Sequence, residues 1–149
     1  MSMMRISNEL FFSWVESEVA DSRSVRFRVK GTSMFPLLRN GKDEVILYPC
    51  REEVLKPMDV VLFRYRGKHV LHRILLREGN LLTIQGDGSF FAKEICSTND
   101  VVGIVREVVR PSGKHVPVDG WRWQLASRLW RGLGVFRCFA LRFLRFLYG

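Results

Sequence analysis

The sequence predicts a mainly β domain, an antiparallel sheet or small barrel, with a short N-terminal helix before it and amphipathic helices after it. Three observations carry this reading. Between residues 25 and 109 apolar residues recur with period two or in short runs; glycines and prolines punctuate those runs with no helical pattern between them; and from Trp121 the period turns helical. Strands that follow one another so closely exclude a βαβ design, because a parallel pair needs a crossover long enough to hold a helix.

Taken in order, residues 7–20 place Leu10, Phe11, Trp14, Val15 and Val19 at helical spacing, with Glu9, Glu16 and Glu18 between them and Ser7 available as N-cap. After Asp21-Ser22-Arg23 the run Val25-Arg26-Phe27-Arg28-Val29-Lys30 alternates apolar and basic residues, the pattern of a strand with one buried face, and Gly31 ends it. Further strands are expected over 44–48, 59–65, 69–76, 81–85 and 101–109, bounded by Gly41, Pro49, Pro57, Gly67, Gly79 and Gly86. In the first tail helix Gln124, Ser127, Arg128 and Arg131 share one sector, and Trp123, Leu125, Leu129 and Trp130 take the other. Gly132 and Gly134 allow a break. A second helix over 135–148 sets Arg137, Arg142 and Arg145 opposite Phe136, Phe139, Phe143, Leu144, Phe146 and Leu147. The organisation expected is an N-terminal helix (1–22), a β domain (23–120) and an Arg-rich helical tail (121–149).

A chain of 149 residues suits one domain with a real core, and 47% hydrophobic with 26% charged residues excludes a disordered one. The net charge of +9 is unevenly placed. Of 24 Lys and Arg, six Arg lie in 121–149, where no acidic residue falls, which leaves 18 against all 15 acidic residues before them. A basic excess confined to a Trp/Phe/Leu-rich tail points to an anionic membrane surface before nucleic acid, which asks for a basic face on the folded body. The pairs Arg26/Arg28 and Arg64/Arg66 read as solvated strand faces, and no nucleic-acid partner is expected. Cys50, Cys96 and Cys138 are odd in number and outside any zinc-ligand spacing, so neither a disulfide framework nor a metal site is expected. No apolar stretch of signal-peptide length opens the chain, and nowhere do about 18 apolar residues run together. The expected location is cytoplasmic and peripheral on the membrane.

Two residues carry the chemistry. Ser33 lies in Gly31-Thr32-Ser33-Met34-Phe35-Pro36, where a strand stops and the chain turns; there a hydroxyl can stand outside the ladder while Gly31 admits close backbone approach and local N–H groups face a developing oxyanion. A lone serine in such a place is equally an ST-turn residue. His72 sits in Val70-Leu71-His72-Arg73-Ile74, sharing a strand face with Val70, Ile74 and Leu76, which predicts a partly buried, neutral imidazole able to accept a proton. A histidine satisfied by a carbonyl fits the same pattern. Arg73 could pair with Asp87 or simply solvate the strand's other face, and alternation favours the second, since neighbouring strand side chains point oppositely.

These segments, with Lys56-Pro57-Met58-Asp59-Val60-Val61-Leu62-Phe63, Gly86-Asp87-Gly88 and Val102-Gly103-Ile104-Val105, stand in the order of the motif boxes of the type I signal peptidase family and its relatives, the LexA-like self-cleaving repressors. The chain resembles that serine-peptidase family over residues about 25–110, in its histidine-base branch and without the N-terminal membrane anchor. The resemblance implies a sheet or small barrel of the signal-peptidase type, Ser33 as nucleophile framed by Met34 and Pro36, His72 as general base, and Asp87 as the acid orienting the histidine. Asp87 reads also as an Asp-Gly hairpin turn. Bacterial members carry a hydroxyl residue two positions before the nucleophile, where this chain has Gly31; the oxyanion site then rests on backbone N–H groups around Thr32 and Ser33. For a second acid in the last box, Asp100 is the nearest match. No cofactor is implied. The function expected is a serine endopeptidase cutting extended, leader- or signal-peptide-like substrates; the alternative is a catalytically inactive module of the same fold that binds a peptide or partner at the membrane surface. A self-cleaving repressor would want a DNA-binding domain and an Ala-Gly or Cys-Gly linker, and neither is seen.

Overall fold

The alternating run at Val25 forms β1 (Val25–Arg28) in a computed structural model that describes residues 8–148. The expected N-cap, Ser7, lies outside the described residues. Ahead of β1, α1 spans Asn8–Ala20 and buries Val15 and Val19. The chain continues through β2 (Glu44–Tyr48), β3 (Val60–Tyr65), β4 (Lys68–Glu78), β5 (Leu81–Gln85), β6 (Glu94–Ser97), β7 (Val101–Val109) and β8 (His115–Pro117). Two helices, α2 (Trp121–Gly132) and α3 (Arg137–Tyr148), follow. The result is mainly β: one antiparallel eight-stranded sheet and three helices, about 34% strand and 31% helix.

The sheet runs β1-β2-β7-β3-β4-β5-β6, with β8 added to β7. Two hairpins set the register beside the site. Between β3 and β4 the two-residue turn Arg66-Gly67 has φ of 49° and 75°, the twin positive φ of a tight type I′ connection. Between β4 and β5, Gly79 (φ 60°) opens a second two-residue turn. A bulge between Ile74 and Leu76 then breaks the period-two pattern. Leu76, expected on the buried face of His72, is therefore 47% exposed.

β3 shows why the sheet has two cores. Val60 and Leu62 point into a cluster with Val15, Met34, Leu38, Val45, Leu47, Val108, Trp123, Trp130 and Leu141; Val61 and Phe63 point the other way, onto Leu55, Ile74, Leu82, Ile84 and Ile104. A strand buried on both faces reads as a continuous apolar run, and Val-Val-Leu-Phe is one. The short strands β6 and β8 were not expected from the sequence. β6 buries Cys96 and exposes Ile95, and β8 has three residues ending in Pro117, so pairing with β5 and β7 defines them and hydrophobic periodicity does not.

The tail folds into the two expected helices, and each turns a mixed polar and apolar face inward. Trp123, Ser127 and Trp130 of α2 are buried, Gln124 and Arg131 are partly so, and Leu125 and Leu129 face outward. α3 seats Arg137 and Leu141, with Ala140 and Leu144 packed beside them. The sector with Ser127 and Arg131 turns inward because the surface beneath it is polar: the Trp130 indole donates to the Asp87 carbonyl (2.8 Å), and Arg131 and Arg137 donate to Gln85 Oε1 (2.7 and 3.2 Å). No helix among the described residues is long and apolar enough to cross a membrane.

Candidate active site

Ser33 lies on a loop tied at its neck. Val29 N donates to the Asp43 carbonyl (2.9 Å), Gly31 N to Asn40 Oδ1 (2.8 Å) and Gly41 N to the Val29 carbonyl (2.8 Å). Asp43, fully buried, accepts from Arg39 N (2.7 Å) and Arg110 Nη1 (3.0 Å), and Arg110 also reaches the Leu37 carbonyl (3.0 Å). Inside the loop Met34 and Leu38 plunge into the core while Gly31, Thr32 and Ser33 stay exposed; Pro36 is half-buried. Met34 is thus an anchor: its sulfur lies 3.5 Å from Asp87 N, on the side away from solvent. Ser33 N–H donates no hydrogen bond among the described residues, which leaves it open toward an oxyanion.

Opposite this loop stands the Gly86-Asp87-Gly88 turn, closed by Ser89 N donating to the Gly86 carbonyl (3.0 Å). Gly88 N donates to the Ser33 carbonyl (2.8 Å). A Cβ added at Gly86 would stand 2.3 Å from the Ser33 carbonyl oxygen and 2.9 Å from His72 Nε2; at Gly88 it would stand 2.6 Å from the Thr32 carbonyl oxygen. Both glycines are therefore places where two backbones pass too close for a side chain. Gly86 is also the point across which the Ser33 backbone and the His72 imidazole face each other. The Ser33 hydroxyl itself makes no hydrogen bond to His72 among the described residues; what the two share is their closeness to Gly86.

His72 occupies the face of β4 that carries Val70 and Ile74, with the Phe63 ring 6.2 Å away, and is 8% exposed. Its Nδ1 lies against Glu94 Oε1, a contact without hydrogen-bond alignment, and Glu94 Oε2 has no partner. Burial lowers the imidazole from its ordinary value, with the Glu94 carboxylate opposing, so the ring is neutral at neutral pH and can take up a proton. His69, by contrast, stacks on Phe12 of α1 (4.8 Å), and His115 sits at the exposed end of β8 against Glu107.

Asp87 does not contact His72. It is fully buried, and Arg73 grips it through both oxygens (Nε–Oδ1 2.9 Å, Nη2–Oδ2 2.8 Å) while Arg131 Nη2 approaches Oδ1 at 2.9 Å. The solvated position expected for Arg73 is corrected here: it is fully buried, because its face of β4 is covered by α2, and its guanidinium lies 5.7 Å from the Trp123 ring. Arg73 Nη1 also donates to the Met58 carbonyl (3.0 Å), joining the Lys56–Asp59 turn to the Gly86–Gly88 turn. Asp100 caps the 3-10 turn Thr98–Asp100 by accepting from Ser97 N (2.9 Å), away from the imidazole. Among the described residues no three His, Cys, Asp or Glu side chains cluster as metal ligands, and the three cysteines are free, with burial pushing Cys96 up to about 11.

Sequence reasoning missed Glu94, Gln85 and Arg131. Glu94 opens an unforeseen strand and reaches the histidine only because β5, between β6 and β4, is one strand wide. Arg131 was counted with the solvent-facing tail charges, and no local pattern in the sequence marks its ion pair with Asp87. No protein-family model matches the chain, and no curated protein matches it.

Proposed function

We propose that the chain is a serine endopeptidase of the signal-peptidase type that hydrolyses an extended peptide or leader-like substrate, with Ser33 as nucleophile and His72 as general base. The observation that carries the reading is the approach of the exposed Ser33 segment and the buried, neutral His72 ring across Gly86, with a carboxylate behind the far ring nitrogen. Ser33 Oγ attacks the scissile carbonyl while Nε2 takes its proton, and the imidazolium that forms is stabilised by Glu94 at Nδ1. The Ser33 N–H supports the tetrahedral oxyanion. His72 then returns the proton to the leaving amine, and water enters by the same base. Glu94, in place of Asp87, takes the orienting role; Asp87 holds the turn that keeps serine and histidine at their spacing.

The test is cleavage of a peptide library by the purified chain beside Ser33→Ala and His72→Ala. Turnover should fall about a thousandfold or more in each variant, since nucleophile and base act as one unit. A peptide-binding module without catalysis is the second reading, favoured by the missing Ser33–His72 hydrogen bond. Peptides bound and left intact by the unsubstituted chain would establish it and overturn the peptidase.

A further inference from the structure

We infer that the outward faces of α2 and α3 form a docking surface for an anionic lipid bilayer. Trp121, Leu125 and Leu129 stand at four-residue intervals along α2, and Phe139, Phe143 and Phe146 at four and three along α3, so each set forms one stripe on its helix. All six are 50–86% exposed. Large apolar stripes of this kind are what a surface helix ordinarily buries.

The helices cannot bury these stripes by rolling onto their own domain. The opposite side is already committed: Trp123, Trp130 and Leu141 sit in the core, Trp130 donates to the Asp87 carbonyl, and Arg131 and Arg137 engage Asp87 and Gln85. Rotation would strand a fully buried carboxylate with one arginine fewer. The unpartnered side is therefore fixed outward by the bonds that hold the inward side.

Charge selects the occupant. Arg122, Arg128, Arg142 and Arg145 are exposed beside the stripes, none has a carboxylate partner among the described residues, and Arg122 lies over the Trp121 ring at 5.4 Å. No acidic residue occurs in 121–149. A second copy of this face would bring like charges together, whereas anionic headgroups take the arginines and acyl chains take the aromatic rings, two attractions that add. This inference stands independently of the peptidase reading.

The experiment is co-flotation of the purified chain with phosphatidylcholine vesicles with and without about one-third phosphatidylglycerol. Binding should require the anionic lipid and fall with added salt. Brominated acyl chains should quench Trp121, with most of that quenching lost in Trp121→Phe, since Trp123 and Trp130 are buried and the half-exposed Trp14 lies on α1, outside the tail. The double variant Leu129→Glu/Phe143→Glu should lose about tenfold or more in vesicle affinity with its circular dichroism unchanged, because both side chains are solvent-exposed. The inference is overturned by absent flotation with both lipids, by equal and salt-insensitive binding to both, or by a lipid-free dimer that Leu129→Glu/Phe143→Glu dissociates.

Discussion

Glu94 lies against the imidazole and Asp87 does not, and what else touches each carboxylate separates their duties. Asp87 is neutralised by Arg73 and Arg131 inside the fold, while Glu94 faces the ring with an oxygen to spare. Asp87→Asn leaves two arginines buried against a neutral amide and should cost about 3–5 kcal/mol, read as a lowered midpoint in thermal or urea unfolding. Glu94→Gln should leave that midpoint nearly unchanged and lower kcat about a hundredfold, since the imidazolium loses its counter-charge. The pH profile adds a sign. Burial holds His72 below its ordinary 6.5, so the acid limb of kcat/KM should lie below pH 6.5. Glu94 opposes that shift; its neutralisation should move the limb to still lower pH, and a limb that stays in place would remove Glu94 from the imidazole's surroundings.

At the scale of elements, the Gly86–Gly88 turn spaces the site. Its glycines lie against backbone carbonyls of the serine loop, which cannot yield as a flexible side chain would. Gly86→Ala should therefore cost about 1–3 kcal/mol and displace Ser33 from His72, with turnover lost beyond what the stability change explains. Gly113 is the control: its φ of +88° penalises alanine by about 1–2 kcal/mol, but its Cβ would meet open space, near Arg39 and Gly41 at the loop's neck and not against Ser33 or His72. Gly113→Ala should lower the unfolding midpoint and leave turnover per folded molecule unchanged. Loss of turnover in both variants would show general softening of the fold instead of a spacing role.

The molecule as a whole is organised so that its C-terminal helices complete the β domain. Trp123, Trp130 and Leu141 complete one core, and burial of each contributes about 1.5–3 kcal/mol, against a typical total stability of about 5–15 kcal/mol. The same helices supply the second arginine of Asp87 and both arginines on Gln85. A chain ending at residue 120 should therefore lose its cooperative thermal transition or melt far lower, as calorimetry would record. An unchanged midpoint would make the tail an independent appendage. With one side bound to the turn behind the imidazole and the other presenting arginines and aromatic rings, the helices link the candidate site to a surface.

The sequence by itself determined the β class, the expected strands along most of their lengths and the three helices, because alternation, turn glycines and helical spacing are local properties of the chain. It also showed that the tail is basic and aromatic. Only the tertiary structure decided which side of each tail helix faces in, since that depends on a buried carboxylate more than 40 residues earlier in the chain. Tertiary pairing likewise buried Arg73, whose face of β4 looks solvated until α2 covers it, and set Glu94 against His72 through a four-residue strand with no hydrophobic pattern of its own. Periodicity reports which residues want burial; it does not report which polar groups will share it, because that is fixed by partners distant in sequence.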